Sequence, residues 1–191
     1  SVLDYSVEGK EEEAQFDAAL NMTLKTIEFA REREAIPFAV FKPTGFGRLA
    51  LYEKVGDKAH LTENEQKEWN RVIERFDIAC KTAFEKDVLL LIDAEESWMQ
   101  DAADEIVADM MRKYNKQKAI VFNTLQMYRW DRLDYLKNLH EQAKAEGFYI
   151  GMKLVRGAYM EKENERAAER GQKSPICVSK EATDINYDAA V

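Results

Sequence analysis

Apolar positions run along this chain in two alternating rhythms. Short runs rich in β-branched and aromatic residues at 2–7, 38–42, 88–93, 119–124 and 150–155 predict strands. Three of them are nearly continuous in apolar residues, as strands covered on both faces are. Between them the apolar period lengthens to that of a helix. Phe16, Leu20, Leu24 and Ile27 recur on one helical face, and Trp69, Val72, Phe76, Cys80 and Ala83 on another. Thr62 with Glu65 three residues on predicts a capping box at the start of the second of these helices. Gly147 predicts a helix stop just before the fifth strand.

Strands alternating with helices predict an α/β fold with a parallel sheet covered by helices. The five strand–helix steps fit successive units of a (β/α)8 TIM-like barrel, which needs about 250 residues to close. The expectation is therefore an incomplete barrel with about five of eight units, forming a single domain over residues 1–191. An open doubly wound sheet is the alternative architecture. The glycines at 45 and 47 give GxG without the third glycine of a dinucleotide loop, and they read as a turn.

Composition narrows the function classes. With 46% hydrophobic residues in 191 positions the chain can bury one sizeable core. A formal charge of -8, with no basic stripe, excludes nucleic acid as a partner. The charge runs at 8–13 and 161–170 read as solvated helical faces. Cys80 and Cys177 make no CxxC pair, which points to a reducing compartment without a disulfide framework. His60 and His140 lack ligand spacing, so no metal is expected. No apolar run reaches the roughly 18 to 20 residues of a membrane span. The opening Ser1-Val2-Leu3-Asp4 has no targeting character and no initiator methionine, which suggests an excised or processed segment.

The informative residues follow the apolar runs. Lys42 ends the second run, and Asp93 with Glu95 and Glu96 the third. Asn123 and Gln126 end the fourth, and Lys153, Arg156 and Tyr159 the fifth. In a parallel barrel these ends converge on one face, where catalytic side chains gather. An acid and at least two fixed cations over an apolar floor suit a small zwitterion, the cations holding its carboxylate and the acid its amine. No nucleophile has an adjacent histidine base, which argues against acyl transfer. A Schiff-base aldolase using Lys42 or Lys153 stays open, as does a non-catalytic fragment or interaction scaffold.

Five strings in order, LDYSVEG at 3–9, FKPTG at 41–45, LIDAEES at 91–97, NTLQMY at 123–128 and KLVRGAY at 153–159, resemble the strand motifs of the flavin-dependent proline dehydrogenase family. KEATD at 180–184 resembles the segment after the fifth strand, and the likeness is to the stand-alone, mitochondrial-like branch. The resemblance implies a distorted (β/α)8 barrel binding FAD. It also implies oxidation of L-proline to 1-pyrroline-5-carboxylate by hydride transfer to flavin N5, with electrons passed to a membrane quinone. On the matching positions, Lys42 would pair with the substrate carboxylate and Asp93 would lie near the reacting centre. Tyr159, Leu154 and Ala158 would wall the proline ring, and Gln126, Lys153, Arg156 and Thr183 would contact the cofactor. The implied setting is the bacterial cytoplasm or inner-membrane periphery, or the mitochondrial matrix, with peripheral membrane association.

Two departures stand out. Lys153 and Arg156 exchange places with the arginine and lysine of the bifunctional bacterial branch, which changes the geometry of any bidentate contact. The family's paired arginines on the last helix and strands six to eight have no counterpart here. The remainder of the barrel is expected from the parent polypeptide or another chain, and residues 1–191 alone are expected to be inactive.

Overall fold

The structure, a computed structural model, describes residues 2–4, 11–33 and 35–191. Five strands lie among them: β1 (Val2–Asp4), β2 (Phe38–Phe41), β3 (Leu89–Ile92), β4 (Val121–Gln126) and β5 (Met152–Val155). They form one sheet in the order β1-β2-β3-β4-β5, every pair parallel. Helices occupy the connections: α1 (Glu13–Ala30), α2 (Leu49–Gly56), α3 (Glu63–Lys86), α4 (Ser97–Tyr114) and α5 (Arg132–Glu146). Two more, α6 (Met160–Glu169) and α7 (Lys180–Ala190), follow β5. Sequential neighbours joined by helical crossovers are the barrel arrangement and rule out the strand reversal of a doubly wound sheet.

The predicted strand edges shift for local reasons. Residues 5–7 of the first predicted strand lie outside the described residues. β4 runs on to Gln126 because its pairing with β5 continues as far as Gln126 opposite Val155. β5 starts late because its register with β4 begins at Met152 opposite Asn123, and just before it Gly151 fits tightly against β4, where a Cβ would lie 2.6 Å from the Val121 carbonyl oxygen.

The core lies between the sheet and its helices. Alternation sends Ala39, Phe41, Leu90, Ile92 and Val121 to the helix side, against Ile27, Val72, Phe76, Met99 and Met111. Phe41 stacks on Phe46 at 4.3 Å between centroids and meets Phe76 edge-on at 5.2 Å. Each such ring contributes about 1.5 to 3 kcal/mol by leaving water. Trp69, Val72, Phe76, Cys80 and Ala83 are all buried, as their spacing predicts. On α1 the buried line is Phe16, Ala19, Thr23, Ile27 and Ala30, while Leu20 and Leu24 are only partly covered. Small residues at the contact line let α1 approach the sheet closely and push the leucines to its flank.

Both predicted caps are present. The Thr62 hydroxyl accepts the Glu65 N–H at 3.3 Å, while a Glu65 carboxylate oxygen accepts the Thr62 N–H at 2.9 Å. Gly147 ends α5 with φ 70°.

Asn123 corrects the sequence reading. It sits two residues after Val121, so alternation turns it toward the helices, away from the strand-end cluster in which it was expected. Its amide donates to Asp104 Oδ1 at 2.8 Å. Asp104, fully buried on α4, also accepts from Gln100 Nε2 at 2.7 Å and from Arg132 Nη1 at 2.6 Å. This knot ties β4, α4 and α5 together. Asp104→Ala should cost about 2 to 4 kcal/mol in denaturant unfolding of the intact protein, because it leaves a buried guanidinium and two amides short of an acceptor. A loss below about 0.5 kcal/mol would show that Arg132 is fully compensated by Asp131 and Asp101.

Candidate active site at the strand ends

Strand parity decides which side chains reach the barrel interior. Opposite the helix-facing set stand Val40, Leu91, Phe122, Thr124 and Gln126, with Lys42 and Asp93 continuing the same parity just past β2 and β3. In β5 the partners of Thr124 and Gln126 are Lys153 and Val155, so these also face inward. Phe38 and Phe122, 5.2 Å apart edge-on, floor this face.

Two polar rungs cross the rim. In the lower one, Lys153 forms an ion pair with Asp93 that spans β4. Thr124, between them, donates to the Ile92 carbonyl at 2.9 Å and stands 3.3 Å from Asp93 Oδ1. Lys153 is thus not a strand-end residue. It is the second residue of β5, and its long stem carries the ammonium up to Asp93.

The upper rung joins three loops and the end of β4. Thr44, after β2, donates its N–H and its hydroxyl to the Glu95 carboxylate at 2.9 and 2.7 Å. The Glu95 carbonyl accepts from Gln126 Nε2 at 2.8 Å, and Gln126 Oε1 accepts the Ala158 N–H, after β5, at 3.0 Å. The Glu95 N–H donates to Gln100 Oε1 at 2.9 Å. Glu95 is only 2% exposed, and burial pushes its carboxyl up to about 7. The charges of Glu96 and Lys42 act on it with opposite sign, Glu96 raising and Lys42 lowering it. Lys42 itself is half-buried and extended, as the residue before Pro43 must be.

The β5–α6 loop is shaped by Gly157, whose φ of 143° suits glycine and whose Cβ would lie 2.4 Å from the buried Tyr128 ring. Tyr159, half-buried, follows it and donates its N–H to the Tyr128 hydroxyl at 3.3 Å. Behind this loop opens a hollow of about 730 Å³. Arg156, Lys173 and Lys180 bring cations to it, Thr183 a hydroxyl, and Met160 and Ile176 apolar surface. Arg156 is held by Asp184 at 2.5 Å and lies over the Tyr187 ring.

The structure therefore brings Lys42, Asp93, Gln126, Lys153, Ala158 and Tyr159 to one rim, with Arg156 and Thr183 on the adjoining hollow. Leu154 does not join them. It pairs with Leu125, one residue out of phase with Lys153, and alternation turns it to the helix side of the sheet. Thr44, Thr124 and Tyr128 belong to the site and were not singled out from the sequence as site residues.

A family model described as proline dehydrogenase matches residues 1–191. The carbapenem antibiotics biosynthesis protein CarD of Pectobacterium carotovorum subsp. carotovorum is 38% identical over 191 residues, which is 100% of this chain and 50% of that protein. Mitochondrial proline dehydrogenase 1 is 41% identical in Drosophila melanogaster and 40% in Homo sapiens. Each match runs over 129 residues, 68% of this chain and 19% and 22% of those proteins. The chain thus spans half or less of the length of these relatives. Proline utilization A from Bdellovibrio bacteriovorus superposes with a TM-score of 0.83 at 19% identity, covering 100% of this chain and 20% of that one. The Corynebacterium freiburgense protein gives 0.75 at 18% identity, covering 97% and 18%. These superpositions establish the fold.

The raised Glu95 carboxyl has a consequence for stability. The folded state holds a proton there that the unfolded chain has lost, so the stability it contributes is complete below the ordinary carboxyl range and is lost as pH rises to about 7. Glu95→Gln, which keeps an acceptor for Thr44 without a charge, should gain stability relative to the parent between pH 5 and pH 8, by up to about 3 kcal/mol. Equal differences at the two pH values in denaturant unfolding would show that Glu95 does not titrate in this window.

Proposed function

The chain belongs to the proline dehydrogenase family, and from that premise and the rim geometry we propose that it carries the strand-end half of a site that oxidises L-proline to 1-pyrroline-5-carboxylate. The observation that carries the reading is the meeting of Lys42, Asp93 and Lys153 on one rim over an apolar floor. A zwitterion with a small apolar ring matches that set.

In this reading the Lys42 ammonium donates to the proline carboxylate, a charge-assisted contact in a partly dry site. Asp93, its carboxylate oriented by Lys153 and by Thr124, faces the ring nitrogen and takes up hydrogen bonds from it. Ala158 and Tyr159 wall the ring, held in register by Gln126 and by the Tyr128 hydroxyl. Water is kept from the ring by the aromatic floor of Phe38 and Phe122.

FAD is the proposed cofactor, and when bound it supplies the two-electron acceptor that no protein side chain offers. The residues present suit it. Arg156, Lys173 and Lys180 around the hollow fit a diphosphate, and Met160 and Ile176 fit an aromatic base. Gln126 and Lys153, on the same rim as Asp93, would meet the flavin ring, while Thr183 lines the hollow itself. A quinone is the proposed onward acceptor.

The rival readings predict different chemistry. A scaffold would purify without flavin, and a Schiff-base aldolase would be trapped by borohydride at Lys42 or Lys153. Lys42→Ala in the intact protein should weaken proline binding by about 2 to 4 kcal/mol, measured by titration of the flavin spectrum, because the bound carboxylate loses its partner. Unchanged affinity would make Lys42 a solvated strand-end lysine and remove it from the site.

A further inference from the structure

The charged run at 161–170 reads as a solvated face, yet Glu163 within it is only 2% exposed. Its carboxylate accepts both the Ser97 N–H and the Ser97 hydroxyl, each at 2.6 Å. Ser97 opens α4, whose N-cap residue Glu96 supplies no side-chain cap. Glu163 thus does from α6 what a capping side chain does from its own helix, at the positive end of the α4 dipole.

Nearby contacts point the same way. Lys162 pairs with Glu96 at 3.0 Å, and Arg166 lies 4.3 Å over the Trp98 ring. Arg166 and Arg170 both reach Glu53 on α2. α6 therefore follows β5 but is footed on the start of α4 and on α2, across the end of β4. α7 packs on β5. In the Lys162–Glu96 pair the ammonium is largely solvated, which weakens the contact. Among these contacts Glu163 supplies the most deeply buried side chain.

We propose that Glu163 is a positioning residue that fixes the separation between the β5–α6 loop, with Ala158 and Tyr159, and the β3–α4 loop, with Asp93 and Glu95. One helical turn links Glu163 to Tyr159, whose carbonyl accepts the Glu163 N–H at 2.9 Å. On the other side Ser97 is joined to Glu95 by a single residue. A shift at the Glu163–Ser97 contact is thus passed to both walls of the pocket. The inference rests on the reading that these walls bind proline.

The test uses the intact, flavin-loaded protein with Glu163→Ala, Glu163→Gln and, as a control on the exposed side of the same helix, Glu165→Ala. Without substrate, Glu163→Ala should raise amide hydrogen exchange about tenfold at 94–97 and at 157–159 together. With L-proline it should raise KM about tenfold while kcat changes less than about twofold. Glu163→Gln, whose amide oxygen still accepts from Ser97, should recover most of both effects, and Glu165→Ala should match the parent. Should Glu163→Ala fail to fold, Ser97→Ala carries the exchange measurement, with a smaller rise, about threefold, expected in both loops because the backbone N–H at 97 still donates to Glu163. Unchanged exchange in either loop, or Glu163→Gln as impaired as Glu163→Ala, would overturn the proposal. A parent protein that does not oxidise proline would overturn the functional reading instead, and the exchange result would still decide the role of Glu163.

Discussion

Backbone N–H and carbonyl groups that are buried where the strands of a parallel sheet end need partners. Here Glu95 and Gln126 meet that demand for three loops and the end of β4 at once. The Glu95 carboxylate receives Thr44, its carbonyl receives Gln126, and Gln126 in turn receives Ala158. Loss of the Glu95 carboxylate would free the segment carrying Lys42 from the one carrying Asp93, and loss of the Gln126 amide would free the segments carrying Asp93 and Tyr159 from the end of β4. The positions of the site residues are consequences of this chain of hydrogen bonds more than of any one strand.

That arrangement separates two kinds of polar residue that look alike in a sequence. Gln126 and Glu95 spend their hydrogen-bonding capacity on the protein, whereas Lys42 and Tyr159 are half-exposed on the side where a ligand would sit. Asp93 stands between these classes, paired with Lys153 yet partly open. Buried polar groups of the first class rigidify a site, and groups of the second class do its chemistry. The near-neutral Glu95 carboxyl shows the cost of the first role, since a charge so deeply placed is only partly offset by two donors from Thr44.

Much of the fold was legible because it follows from periodicity. The alternating strands and helices, the Thr62–Glu65 cap and the Gly147 stop all appear where the pattern puts them. The five motifs resembling proline dehydrogenases named the right family. What the sequence hid was phase. Leu154 lies beside Lys153 in the KLVRGAY string, but neighbours on a strand face opposite ways, and only the register with β4 shows which one faces inward. Asn123 was misread for the same reason. Glu163 was hidden differently: a carboxylate in a highly charged helix gives no sign that its partner is the start of another helix, many residues earlier in the chain.

The central claim is that this rim, together with the hollow lined by Arg156 and Lys180, takes electrons from L-proline into a bound flavin. The most direct measurement is anaerobic addition of L-proline to the intact protein while its visible flavin absorbance is followed. The account predicts that the flavin band bleaches with L-proline, and that Lys42→Ala shifts the bleaching to higher proline concentration. A protein that purifies without flavin, or whose bound flavin stays oxidised at saturating L-proline, would contradict it.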